Sequence, residues 1–195
     1  MKPNLKLVEA RGDEITFTFG RFNPPTIGHE KLMDATKKNS SKDYRVYASH
    51  SQDPKRNPLK YDQKVKWMKR MFPKHKSKII GGGNYRTAID VAVDVFNDGY
   101  TDLIMIAGSD RVGEFQQLLD KYNGVKGKRH GEYKFDSIKV INAGERDPDA
   151  EGASGMSASK MRGAAADNNF DLFKSGLPDK FANSKDAKDL FKVLR

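Results

Sequence analysis

The stretch ITFTFGRFNPPTIGH, residues 15–29, decides how the chain is read. Residues 15–19 are β-branched and aromatic, the make-up of a strand. Gly20 ends that run without a side chain, so that backbone can approach a bulky anion closely. Pro24 and Pro25 stiffen the turn and deny it helical geometry before Thr26. A helical pattern then runs from about Gly28 to Lys38. Strand, turn and helix start in this order leave unpaired N–H groups and the positive end of a helix dipole at the mouth of the turn, which suits a phosphate. Thr26 and His29 stand one helical turn apart, so hydroxyl and imidazole can face the same phosphates. In isolation the same pair also reads as a helix N-cap and a surface histidine.

Working outward, strand-like and helical patterns alternate. Residues 44–48 read as a second strand, and Tyr61, Val65, Met68 and Phe72 fall at helical spacing before Pro73. Residues 78–80 form a short third strand ahead of Gly81-Gly82-Gly83. Ala88, Val91, Ala92, Val95 and Phe96 make a helical stripe closed by Gly99. Residues 103–107 are almost wholly apolar, as a central parallel strand must be. A fourth helix carries Phe115, Leu118, Leu119 and Tyr122, and residues 138–141 read as a fifth strand. A polar loop over 145–154 and a helix from near Ser157 follow.

This alternation predicts an α/β, doubly wound (Rossmann-like) parallel sheet of about five strands with flanking helices and a C-terminal helical appendage. Residues 1–167 are expected to form the main domain. Residues 168–195 are expected to pack on it as a helical extension, split in two at Pro178, with Ala187, Leu190, Phe191 and Leu194 on one apolar face. The loop over 124–131, GVKGKRHG, reads as a mobile basic surface loop.

Composition narrows the function. The 195 residues carry 36 Lys and Arg against 26 Asp and Glu, a net charge of +10, which suits an anionic ligand. The lysines are scattered, and Lys37, Lys38, Lys64, Lys66, Lys69, Arg70 and Lys74 read as solvated helix faces, so a dedicated nucleic-acid surface is not expected. Cysteine is absent, which excludes disulfides, thiolate metal sites and cysteine nucleophiles. No apolar run is long enough for a membrane span and no secretory signal is evident, so a cytoplasmic protein is expected. Nothing indicates an oligomeric state.

A second motif lies far downstream. GMSASKMR, residues 155–162, sets Ser157 and Ser159 at a helix start and Arg162 one turn in. The hydroxyls are donors, and the guanidinium suits bidentate contact with phosphates. Alone, it is a serine-capped helix with a surface arginine.

Together the two motifs resemble those of the nucleotidyltransferase superfamily, which pairs an [H/T]xGH motif after the first strand with an ISxTxxR-like motif near the last helix. Here they read Thr26-Ile27-Gly28-His29 and Met156 to Arg162, with Met for Ile and Ser for Thr. The resemblance covers roughly the first 165 residues. It implies transfer of a nucleoside monophosphate from a nucleoside triphosphate, with release of pyrophosphate and no covalent intermediate. His29 and Arg162 are the implied catalytic residues. Gly20, Arg21, Phe22, Thr26, Ser157 and Ser159 join them around the triphosphate. Mg2+ is expected to arrive bound mainly to phosphate oxygens, because no compact carboxylate cage is visible.

The acceptor rests on finer likeness. Gly108-Ser109-Asp110 and the FNPPT segment resemble nicotinamide mononucleotide adenylyltransferases, as do Tyr85-Arg86-Thr87 and Asp90. This makes ATP the expected donor, with nicotinamide mononucleotide the acceptor and NAD the product. Asn23, Lys55, Thr87, Gly108 and Asp110 are the expected acceptor-side residues, Lys55 and its neighbour Arg56 also reading as solvated charge. CTP is the alternative donor, since cytidylyltransferases and phosphopantetheine adenylyltransferases share the two-motif frame. TIGH and MSASK also echo class I aminoacyl-tRNA synthetases, for which the chain is short. A non-catalytic basic relative that binds nucleic acid is the remaining alternative, supported by aromatic residues among the lysines of 121–133.

Overall fold

The computed structural model describes residues 13–144 and 155–195. Its centre is a five-stranded, all-parallel sheet of β1 (Glu14–Gly20), β2 (Asp43–Ala48), β3 (Ile79–Ile80), β4 (Asp102–Ala107) and β5 (Ser137–Asn142), in the order β3-β2-β1-β4-β5. The doubly wound α/β expectation therefore holds. Each strand is interleaved with helix: α1 (Ile27–Lys38), α2 (Tyr61–Met71), α3 (Ala88–Asn97) and α4 (Val112–Tyr122), then α5 (Ala158–Ala166), α6 (Phe170–Lys174), α7 (Asp179–Ala182) and α8 (Lys185–Leu194). Except in β3, which is shorter than the expected 78–80 because Lys78 closes the preceding turn, strand bounds reach beyond the apolar runs, because ladder pairs such as Gly20 with Ala48 and Asp102 with Ser137 depend on backbone and not on side chain.

Period-two alternation sorts the strand side chains onto two faces. Ile15 and Phe17 of β1 and Leu103 and Met105 of β4 pack with α3 and α4 in one apolar cluster. Tyr44, Val46 and Ala48 of β2 pack in the other, with Met33 of α1 and Val65, Trp67, Met68 and Met71 of α2. That second cluster continues through Met161, Ala164 and Ala165 of α5 into Phe173, Phe181, Leu190 and Phe191. Chain order reverses direction in the sheet between β1 and β4, so the turns after these strands flank the crevice where doubly wound folds bind ligands.

Three expectations need correction or limits. The C-terminal segment forms three short helices, not two. Besides the break before Pro178, Asn183 turns its amide onto the Asp179 carbonyl and Ser184 its hydroxyl onto that of Phe181, which ends α7 early. Lys64 is no solvated residue: it is 0% exposed. On the turn that follows α2, His75 is equally buried, with Nδ1 at 2.9 Å from the Tyr44 hydroxyl and Nε2 at 2.7 Å from Asp34. The polar loop 145–154 lies outside the described residues.

Candidate active site

The first motif folds as its composition demands. Phe22 takes φ 47°, the left-handed region that a bulky residue rarely adopts, and reverses the chain just past β1. Its ring is driven inward, 1% exposed, where it supports the His29 ring at a centroid distance of 4.7 Å. Gly20 leaves room for that packing, since a Cβ there would crowd the Phe22 ring at 3.1 Å. Asn23 spends its side chain on Leu59, donating to the carbonyl at 3.1 Å and accepting from the N–H at 2.9 Å. The turn is thereby tied to the segment that leads into α2.

Thr26 is the extended N-cap of α1 and His29 its third helical residue. The Thr26 N–H donates to His29 Nδ1 at 2.9 Å, the position a glutamate or glutamine occupies in a capping box. Nδ1 accepts in this geometry, so the neutral ring carries its proton on Nε2. Capping has therefore fixed the histidine's tautomer and orientation. The first helical amide, Ile27 N–H, donates to the Gly176 carbonyl at 2.8 Å, which brings the C-terminal segment to the head of α1.

The second motif arrives on α5. Ser157 caps that helix by accepting the Lys160 N–H at 3.1 Å. Arg162 reaches across to the first turn, donating through one terminal nitrogen to the Asn23 carbonyl at 2.7 Å and through the other to Ser159 Oγ at 3.0 Å. A single side chain thus couples residues 139 apart. Burial lowers the Arg162 pKa, and nearby Arg21 and Arg56 push the same way, while Asp53 opposes them. Like charges around one space suit an anion.

That place is a cavity of about 460 Å³ lined by Arg21, Phe22, Asn23, His29, Arg56, Asn57, Ser157, Ala158, Ser159 and Arg162. It unites most of the residues expected around a triphosphate; Gly20 and Thr26 do not line it, Gly20 lying against the Phe22 ring and Thr26 holding His29. The acceptor-side group does not converge there. Only Asn23 lines the cavity, and its amide is already engaged. Thr87 caps α3, its N–H and hydroxyl both on Asp90 Oδ2, at 2.7 and 3.2 Å. Asp110 folds back towards Gly108, its Oδ1 3.0 Å from where a Gly108 Cβ would stand. Lys55 is exposed and outside the lining.

Lys55's neighbours do line it. Asp53 Oδ1 accepts the N–H groups of Lys55 and Arg56, at 3.1 and 2.6 Å, and Asp53 Oδ2 accepts from the Asn57 amide at 2.7 Å. This tight turn presents Arg56 and Asn57. An Asp-Pro followed by a basic pair and Asn was a readable turn signal, but which basic residue faces inward depends on the turn's closure. Among the described residues, no group of three or more His, Asp or Glu side chains is placed to hold a metal ion, and no helix is long and apolar enough to cross a membrane.

Residues 17–164 match the family model described as cytidylyltransferase-like. No curated protein matches the chain.

Proposed function

Because the chain belongs to the cytidylyltransferase-like family of nucleotidyltransferases, we propose that it transfers a nucleoside monophosphate from a nucleoside triphosphate to a phosphorylated small-molecule acceptor. The observation that carries this reading is the convergence of Arg21, Arg56 and Arg162 with His29 around one cavity. An oxygen of the acceptor phosphate attacks the α-phosphorus, the bond from that phosphorus to the β-phosphate bridge breaks, and pyrophosphate departs. His29 Nε2–H donates to the charge growing on the phosphates, with Nδ1 held by Thr26. Arg162, Ser157 and Ser159 hold the leaving pyrophosphate. Catalysis by positioning and charge neutralisation suffices for such a step. Mg2+ enters as part of the substrate, carried on triphosphate oxygens.

Transfer of AMP from ATP to nicotinamide mononucleotide is the acceptor reading, supported by the FNPPT and GSD segments. Transfer of CMP from CTP is the second reading, favoured by the description of the matching family. Pyrophosphate release is measured with ATP and CTP, each against nicotinamide mononucleotide, nicotinate mononucleotide, phosphopantetheine and glycerol phosphate. Release with ATP and nicotinamide mononucleotide alone supports the first reading, and release with CTP supports the second. No release with any pair overturns both.

A further inference from the structure

Among the described residues Lys64 is the one lysine that is fully buried. Its Nζ donates to the carbonyl of Ser49 and, at 3.4 Å, to that of Ser51, the residues that follow β2. Ser49 in turn donates its N–H to the Gly20 carbonyl at 2.8 Å, where the phosphate turn begins. Only one residue separates the ammonium from that turn, in a sheet whose strands lie about 4.8 Å apart. The Ser49 hydroxyl is itself buried without a hydrogen-bond partner among the described residues.

Among the described residues, counter-charge is what Lys64 lacks. None of the ion pairs among the described residues includes it. The titratable groups near it along the chain are engaged elsewhere or exposed. His50 stacks on Tyr61 and accepts the Tyr85 N–H, the Tyr61 hydroxyl donates to the Gly82 carbonyl, and Asp53 closes its own turn. Lys60 and Asp62 are exposed. A buried ammonium with carbonyl partners and no carboxylate is costly unless an anion completes it. Burial alone pushes its pKa down to about 8.

We propose that Lys64 is an electrostatic part of the nucleotide site, a buried cation whose counter-charge is the bound triphosphate. This rests on the proposed nucleotidyl transfer. Binding the anion favours the charged ammonium, so near pH 8 binding draws a proton from solution, on the order of 0.5 per site. Lys64 also positions the 49–57 segment that presents Arg56 and Asn57, through the Ser49 and Ser51 carbonyls.

The test is calorimetric titration of the full chain with ATP, CTP and inorganic tripolyphosphate at pH 8.5, in two buffers of different ionisation enthalpy. Proton uptake is expected for the wild type. Lys64→Met should bind about tenfold more weakly without uptake, as expected for losing one nearby charge. Lys64→Arg, charged at every pH used, should retain tight binding without uptake. Thermal melts establish that each variant folds, and the wild-type uptake is read without any substitution. Binding by the wild type without proton uptake, or uptake undiminished in Lys64→Met, overturns the role of Lys64 while leaving nucleotidyl transfer standing if pyrophosphate is still released. Failure of all three anions to bind overturns both.

Discussion

Replacing His29 separates its two roles, because one is structural and the other chemical. The ring accepts the Thr26 N–H at Nδ1 and lies against Phe22, while the proposed chemistry uses Nε2. His29→Ala removes both. Losing the cap costs about 1–2 kcal/mol, a fall of a few degrees in melting temperature for a chain of this size, at roughly 2–4 °C per kcal/mol. Losing a donor to the transition state costs roughly 3 kcal/mol in the barrier, a hundredfold or more in kcat. The chemical effect outweighs the structural one, and a second variant separates them. Glutamine at the third helical position is a natural capping-box partner, so His29→Gln should keep the melting temperature close to wild type while kcat still falls by about two orders of magnitude. The assay is pyrophosphate release with the active nucleotide and acceptor pair, alongside thermal melts of all three proteins. Wild-type turnover in His29→Gln would refute the assignment of Nε2. An Ala variant that loses turnover only in proportion to its unfolded fraction would do the same.

Three further outcomes follow from particular contacts. A Cβ at Gly176 would meet Met161 Sδ at 2.6 Å and Met156 Cβ at 3.3 Å, so Gly176→Ala should destabilise by about 1–3 kcal/mol and, by displacing the carbonyl bound to Ile27, raise KM for the nucleotide. A chemical-denaturation midpoint equal to wild type would contradict this. Arg56→Ala should raise KM for the triphosphate about tenfold or more, whereas Lys55→Ala should leave it unchanged, because only Arg56 lines the cavity; equal effects in steady-state kinetics would show the turn to be misread. Lys64 gives a pH-dependent stability. Its pKa is about 8 in the folded chain against an ordinary 10.5, so between those values the unfolded chain binds more protons and stability rises with pH. The burial cost of roughly 3 kcal/mol is fully present below pH 8 and gone above 10.5. Urea titrations from pH 7 to 10.5 should show this rise in wild type relative to Lys64→Met; parallel curves would refute it.

What residues 15–29 determined by themselves is local: a strand of β-branched and aromatic residues, a turn set by Gly20, Pro24 and Pro25, and a helix headed by Thr26. Repetition of such patterns was enough for the parallel, doubly wound sheet, since all-apolar strands such as 103–107 are stable only when covered on both faces. The short-range part of the site was equally legible, because Thr26 with His29 and Ser157 with Arg162 each lie within about a turn or two of one helix. Contacts between distant segments were not. That Arg162 closes on the Asn23 carbonyl, that Asn23 is consumed by Leu59, and that Gly176 meets the head of α1 depend on how helices from opposite ends of the chain pack on one face. Burial was hidden for the same reason. Lys64 shares its helix with exposed charges and looks like them in sequence, and only the packing of α2 beneath the 49–57 segment withdraws it from water. Periodicity says which face of an element is apolar, whereas the partner met by each polar side chain is decided when the chain closes on itself.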